Sequence, residues 1–491
     1  MTPADLLALI NSANGTVIDG GGQMVTFTST FQYTSNTKFK NFKFDFQFNG
    51  IGMQPMGAAS APVIPNSGLP KGFIQIGFNA PCGLAANDLL FIKSTDLWGT
   101  TEIVSQWAQV ASVSPDGLTI TLKAGLSYSF TTGIQIMKVV LNKSSFEQCE
   151  FTGLGAQNTQ KLLSPKYSTV WLDHCSFDQT GHSGIEFITC YDVGGVGNSF
   201  KHAKGLDAYG MCFANGTEFV HFTDTTGDDL GHLWTFGGVS GINRNAVMVN
   251  NIVYNARKAL VDTHCSADLV ACLGLTGSHA VGAVSEAVMM QGARCLVTGV
   301  QLVEAAGGMV SQPMTRLVDD WCELHGNLGL ITSPSAQPAF LLENRKPAGS
   351  LALFKVSGSA RAPRGLIVKN VATTDVKRVH ADVDVVADGN AAQVIQTNAG
   401  KILNVDLHGS YECTNPSIEN IIVDAIAPTT DPITGIITNY IDGVKIHGRV
   451  IGGWCGVRNT GNALNVRAAD GQTITNLANR KTFGPVTLAV A

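Results

Sequence analysis

Charge is what this sequence has least of. Asp, Glu, Lys and Arg supply 14% of its 491 residues, against roughly 25% in an average soluble domain. Neither sign dominates, since 37 acids against 32 Lys and Arg leave a formal net charge of -5. Without a basic excess, the electrostatic signature of a nucleic-acid binder is missing. Disorder requires high charge and low hydrophobicity, but here 44% of residues are hydrophobic and the mean hydropathy is +0.15. No window approaches the ~18 uninterrupted apolar residues of a membrane helix, so membrane insertion is not expected. The 11 cysteines include no C-x-x-C pair. Cys149, Cys175, Cys190, Cys212, Cys265, Cys272 and Cys295 lie in apolar segments and read as buried free thiols. Walker-type loops, zinc motifs and G-x-S-x-G elbows are absent, so no cofactor and no metal are expected. Met1-Thr-Pro-Ala-Asp5 lacks the basic region of a signal peptide, which predicts synthesis in a cytosol. Asp5 reads as the N-cap or a first-turn residue of a short helix ending near Ser12–Gly15.

What the chain does have is glycine and short alternating segments. Gly makes up 54 residues, about 11% where about 7% is usual. Apolar residues alternate with small or polar ones in 170–177, 219–223, 246–253, 269–275 and 295–302. The pattern returns in 365–371, 402–408, 418–423 and 441–447. A period of two is the strand signal, and no helical period is sustained after Val139. Strand repeats of roughly 20–50 residues indicate a solenoid, propeller or array. Irregular spacing with Asn and Gly corners favours a parallel β-helix, whose coils bury inward side chains on the coils above and below. Such a stack needs apolar residues inside and turn formers at its corners, which accounts for the composition.

One stretch interrupts the repeat. Residues 53–138 hold a Pro- and Gly-rich segment followed by runs at 87–93, 107–113 and 118–122, with Asp116-Gly117 as a hairpin turn between the last two. This predicts a small inserted antiparallel β module. Residues 1–52 then form an N-terminal capping helix and first coils, 139–453 the main β-helix, and 454–491 a C-terminal cap. Four features carry a family resemblance: the short helix leading into Gly15-Thr-Val-Ile-Asp-Gly20; the inserted module ending Leu126-Ser-Tyr-Ser-Phe130; Val170-Trp-Leu-Asp-His174; and Val261-Asp-Thr-His264. The chain resembles the pectate-lyase-like, right-handed, single-stranded parallel β-helix of bacteriophage tailspikes, an all-β fold, over roughly residues 1–453. That resemblance implies a homotrimeric virion tail protein, made in the host cytoplasm and acting outside it. Its partners would be other phage tail proteins and a bacterial surface polysaccharide: capsule, exopolysaccharide or O-antigen. The apolar tail Thr482–Ala491 is expected to contact partner subunits.

Chemistry is sought where acids recur at coil spacing. Aligning Gly184-Ile-Glu186, Gly205-Leu-Asp207, Gly231-His232, Leu260-Val-Asp262 and Val284-Ser-Glu286 gives intervals of 21, 25, 30 and 24 residues. In that register Glu186, Asp207, His232, Asp262 and Glu286 form a ladder on one face, with coils about 4.8 Å apart. Carboxylates so close repel and raise a pKa, and glycosidic cleavage needs one protonated and one ionised carboxyl. The plain alternative is an ordinary solvated face. Adjacent Glu186 and Asp207 would suit retention of configuration. Asp207 and Asp262, two coils or about 9.6 Å apart, would suit inversion, which is preferred. His232 and His264 are expected to orient or tune these acids. Tyr209, Trp234 and Tyr254 are candidates for stacking on sugar rings. Asp228, Asp229, Arg257 and Lys258 are further candidates for contacts with substrate.

A polysaccharide lyase on the same scaffold and a non-catalytic adhesin are the alternatives. Pectate lyases share a Trp-x-Asp-His segment, here Trp171–His174, and an Arg-x-Pro segment, here Arg361-Ala-Pro-Arg364. The two stand 190 residues apart, and the stretch 161–170 before Trp171 holds no acid. These segments are therefore read as structural, and hydrolysis is the favoured chemistry.

Overall fold

The computed structural model describes residues 1–280 except 14, 99–100, 157 and 206, then 286–302, 315–330, 338–345, 352–425 except 399 and 416, 440–452, 454–459, 463–464 and 467–468. The expected C-terminal cap lies almost wholly outside the described residues. The chain divides into two compact units, Met1–Val249 with Thr263–Val270, and Asn250–Asp262 with Ala271–Ala491. Both are parallel β-solenoids, and strands dominate throughout.

The helix Pro3–Ala13 opens the first unit, burying Leu6 and Ile10. Thr2 caps it. The Asp5 N–H donates to Thr2 Oγ1 at 3.2 Å while Asp5 Oδ2 accepts from the Thr2 N–H at 3.0 Å, a reciprocal cap with Asp5 in the first turn. Pro3 suits the first helical position, where an N–H would have no partner.

Three parallel sheets then wind around an interior of stacked side chains. In the first, the inward column runs Phe39, Phe146, Leu172, Gly195, Phe222 and Met248. In the second it runs Val25, Phe44, Phe151, Phe177, Phe200 and Gly227. Ring centroids along Phe44–Phe151–Phe177–Phe200 are 5.1, 4.5 and 4.8 Å apart, matching the coil spacing of about 4.8 Å. The third sheet stacks Phe187, Phe213 and Phe236 at 5.0 and 4.5 Å.

Corners repeat as well. Asn41, Gln148, His174, Gly197 and Asp224 occupy one corner with φ between 50° and 65°. Each of the first four donates its N–H to a carbonyl of the next coil: Glu147, Asp173, Val196 and Thr223. The sequence reading expected Gly, Asn or Asp there; Gln148 and His174 show that the inter-coil hydrogen bond holds the left-handed backbone for other residues too.

The inserted module is a six-stranded antiparallel sheet between Ala58 and Val140, in the order Ala58–Ala59, Gln135–Val140, Leu89–Leu97, Ile103–Val113, Thr119–Leu122, Gln75–Gly77. Ile76, Leu90, Ile92, Val110, Ile120, Phe130 and Ile136 form its own core. It docks on the solenoid through Trp107, whose Nε1–H donates to the Gly216 carbonyl at 2.7 Å and whose backbone N–H donates to Glu218 at 3.1 Å. Its two ends meet. Gly57 donates to Lys166 O and Asn142 to Tyr167 O, and a Cβ on Gly57 would stand 2.4 Å from Val140 O and 2.0 Å from Tyr167 O. Only glycine fits that crossing.

The second unit uses longer strands, including Ala352–Ala362, Val376–Ala387 and Ile402–Cys413, in parallel register. Its interior columns run Phe354, Val379, Val405, Val444 and Val356, Ala381, Leu407, Ile446. Ten of the cysteines are free thiols, nine of them buried, as their apolar settings predicted, and Cys265 half-buried.

Candidate functional site

Register decides which predicted residues meet. On the third sheet of the first unit, Glu186 stacks on Cys212 and then on Thr235. Asp207 is five residues earlier, exposed, in the turn before Tyr209–Ala214. The coils measure 26 residues from Ser183 to Tyr209 and 23 from Tyr209 to His232. The ladder Glu186–Asp207–His232 is therefore not a column. This corrects the sequence register.

These residues instead gather around His182, which the sequence reading missed. Tyr209 donates its N–H to the His182 carbonyl at 2.7 Å. Its ring lies between two imidazoles, 5.5 Å from His182 and 5.0 Å from His232, the latter stacked. Burial and the Lys161 ammonium hold the His182 pKa below its ordinary value, against the opposing fields of Glu186 and Asp207. At neutral pH this imidazole is uncharged. Lys161, also missed, pairs with Glu186 at 2.5 Å. The corner thus brings together a half-buried carboxylate neutralised by a lysine, an exposed carboxylate in a turn, a neutral histidine and a tyrosine ring. Two carboxyls in unlike surroundings are the precondition for dividing acid and base roles.

Other predicted residues fall elsewhere. Trp234 is 0% exposed, in register with Met211 and edge-on to Phe236. It is a core residue and cannot stack on an external sugar. His232 is also buried, stacked on the Tyr209 ring. His264 is half-buried, with its N–H donated to Phe236 O at 2.8 Å. Asp228 ends a strand on the second sheet, in register with Lys201 and Asp178, and Asp178 binds His202 Nδ1 at 2.7 Å. Asp229 occupies a left-handed corner and pairs with Lys204 at 3.0 Å.

Asp262 and Glu286 belong to the second unit and are 4% and 3% exposed. Leu260 and Val261 both donate to Ala287 O, so Glu286 lies level with the residues before Asp262 rather than beside it. In the same unit Tyr254 is exposed, and Arg257 and Lys258 are half-buried. Among the described residues no group of three His, Cys, Asp or Glu is placed to hold a metal ion.

The segment Trp171–His174, read from sequence as packing, stands on the surface. Trp171 is 46% exposed on the outer face of the first sheet. It lies across Gly194, where a Cβ would come within 2.5 Å of the indole. The ring is thereby flattened onto the sheet with one face open, beside the Asp173–His174 pair at 2.5 Å.

Three solved structures share this architecture. The chain is similar to the tailspike protein gp49 from Pseudomonas phage LKA1, with a TM-score of 0.62 at 17% identity, over 86% of this chain and 76% of that one. It is similar to the Gp54 tailspike of Acinetobacter baumannii bacteriophage AP22, solved in complex with A. baumannii capsular saccharide (0.53, 13%, 98% and 76%). The tailspike gp61 of Pseudomonas phage phi297 follows (0.52, 13%, 86% and 73%). At these identities the likeness is one of fold, and it is the parallel β-helix that the sequence led us to expect. No protein-family model matches the chain, and no curated protein matches it either.

Proposed function

We propose that this chain is a phage tailspike that recognises and depolymerises a bacterial surface polysaccharide by glycosidic hydrolysis. The observation carrying the chemistry is the convergence of Glu186 and Asp207, in unlike settings, around His182 and Tyr209. Asp207, exposed in a turn, serves as the proton-transferring carboxyl. Glu186, fixed by Lys161, serves as its partner or as an acceptor for sugar hydroxyls. Tyr209 offers the ring edge beside them. Asp262 and Glu286, buried in the other unit, are given no contact with the polymer. Fold likeness to a tailspike solved with a capsular saccharide supports the substrate class, and homotrimer assembly on a virion tail belongs to the same reading.

Incubation of the full chain with purified capsule or lipopolysaccharide, followed by mass spectrometry, tests this. Saturated fragments with new reducing ends are expected. Unsaturated uronate ends absorbing in the ultraviolet would replace hydrolysis by elimination, and intact polymer retained by the protein would leave only an adhesin.

A further inference from the structure

The second unit holds a cleft of about 410 Å³ lined by Glu323, Leu353, Phe354, Lys355, Arg378 and His380, a volume within the usual range for small-ligand sites. Register builds it. Glu323, Lys355 and His380 follow one another on successive coils, and Leu353 precedes Arg378 in the neighbouring column. Successive side chains therefore stand about 4.8 Å apart, a spacing that lets several of them reach one pyranose.

The polar groups are unevenly committed. Glu323 is engaged by His325 Nε2 at 3.3 Å, and His325 Nδ1 is held by Ser357 Oγ at 2.7 Å. Lys355 Nζ stands 3.9 Å from Glu323, beyond hydrogen-bond reach. Arg378 is exposed and, among the described residues, makes no ion pair. Lys355 and Arg378 thus stand beside one carboxylate, Glu323, which His325 also holds and with which Lys355 makes only a long ion pair. Beside them, half-buried Leu353, on the same outward face as Lys355, supplies an apolar surface. A guanidinium fork matches a carboxylate with two parallel hydrogen bonds, and the apolar surface suits the C–H face of a sugar ring.

We infer that this cleft is a binding site for carboxylate-bearing saccharides, with Arg378 and Lys355 as the anion contacts and Leu353 against the ring. The inference rests on the reading of the chain as a glycan-binding protein, and it involves residues separate from Glu186 and Asp207.

A matched pair of probes tests it on the full chain: methyl β-glucuronide and methyl β-glucoside, titrated by ligand-observed NMR. The glucuronide is expected to bind at least tenfold more tightly, with that preference falling at least fivefold in Arg378→Ala and in Lys355→Ala. Both side chains project to solvent, so circular dichroism of the variants should match the parent. Equal affinity for the two glycosides, no glucuronide binding, or full preference in both variants would overturn the inference. So would displacement of glucuronide by an equal concentration of inorganic phosphate, which would reduce the cleft to a general anion site. The measurement involves no cleavage. Hydrolysis lost in Asp207→Asn with glucuronide affinity kept supports the cleft as a separate site. Glucuronide binding absent from a chain that still cleaves capsule removes this inference and leaves the hydrolase reading standing.

Discussion

The two units make coils from different material. The first fills its interior with phenylalanine, ring on ring from Phe44 to Phe200 and again from Phe187 to Phe236. The second fills its described columns largely with Val, Ala, Leu and Ile, such as Val379–Val405–Val444 and Ala381–Leu407–Ile446. Aromatic stacking is directional and adds about 0.5–1.5 kcal/mol per pair beyond burial, so a ring column fixes register as well as volume. Aliphatic columns tolerate substitution if volume is kept. Buried amides give direction in both units: in the first, Asn198 Nδ2 donates to Leu172 O at 3.2 Å and Asn243 Nδ2 to Gly237 O at 2.6 Å, and the second has its own. There Asn344 Nδ2 donates to Asn370 Oδ1 at 3.2 Å, and Asn370 Nδ2 donates to Lys401 O at 3.0 Å. The units thus share buried amide hydrogen bonds and differ in the stacked rings that fill the first.

The contrast can be broken first through activity. Asp207→Asn should lower the rate of reducing-end release from capsule by about 10²–10⁴-fold, the usual worth of a proton-transferring group, with polymer binding retained. The same change at Asp384, outward on the second unit, should alter the rate less than about threefold. Comparable losses at both positions would dissolve the assignment of chemistry to the first unit.

Stability offers the next test. Phe177→Ala removes a ring stacked on both sides and should cost about 3–5 kcal/mol, while Leu407→Ala in the aliphatic interior should fall in the lower part of about 2–5 kcal/mol. Urea unfolding of each variant reads the difference. A larger loss at Leu407 would show that the rings add nothing beyond volume.

A pH effect follows from the module's docking point. Burial pushes the Glu218 carboxyl up to about 7, against the pull of Arg244 and hydrogen bonds from Trp107 and Asn245. The folded state therefore holds this proton more tightly than the unfolded chain does. Its contribution to stability falls as pH rises from about 4.5 to 7 and is flat above that. Melting of the parent and of Glu218→Gln at pH 5 and pH 8 should show a smaller pH dependence in the variant. An unchanged slope would mean that Glu218 does not titrate there. Smallest is the effect expected at Trp171→Ala: a few-fold loss of retention on immobilised glycan, with little change in melting because the open ring face contributes nothing to the core. Unaltered retention would return this segment to the packing role that its sequence suggested.

The fold was legible because it is written in alternation. Inward residues such as Phe146, Phe151 and Phe177 sit at strand spacing within runs that anyone can read, and Asp116-Gly117 marks its hairpin locally. The site was half legible. Glu186, Asp207, Tyr209 and His232 do share a neighbourhood, yet they were joined in the wrong geometry. Gly184-Ile-Glu186 and Gly205-Leu-Asp207 look alike, but Gly184 lies in a strand while Gly205 sits in a turn, donating to Gly181 O. Coil length is set by such corner hydrogen bonds, which leave no periodic trace. His182 and Lys161 were missed for the same reason: each stands at or beside a corner, where alternation gives no cue. A weak signal existed in Gly181-His182 and Gly231-His232, a glycine-histidine pair repeated two coils apart.

The crossing at Gly57 has a consequence for how this architecture diversifies. The chain leaves the coil and rejoins it through a gap only wide enough for a glycine, so beyond that crossing the module touches the solenoid through side-chain docking such as Trp107 on Gly216 and Glu218. Any cassette whose two ends can meet would fit the same doorway, because the entropy of closing a loop grows only slowly with its length. Recombination at residues 57 and 141 could exchange the module without re-registering a coil, provided the incoming domain supplies partners for the buried Glu218 carboxylate and the Gly216 carbonyl.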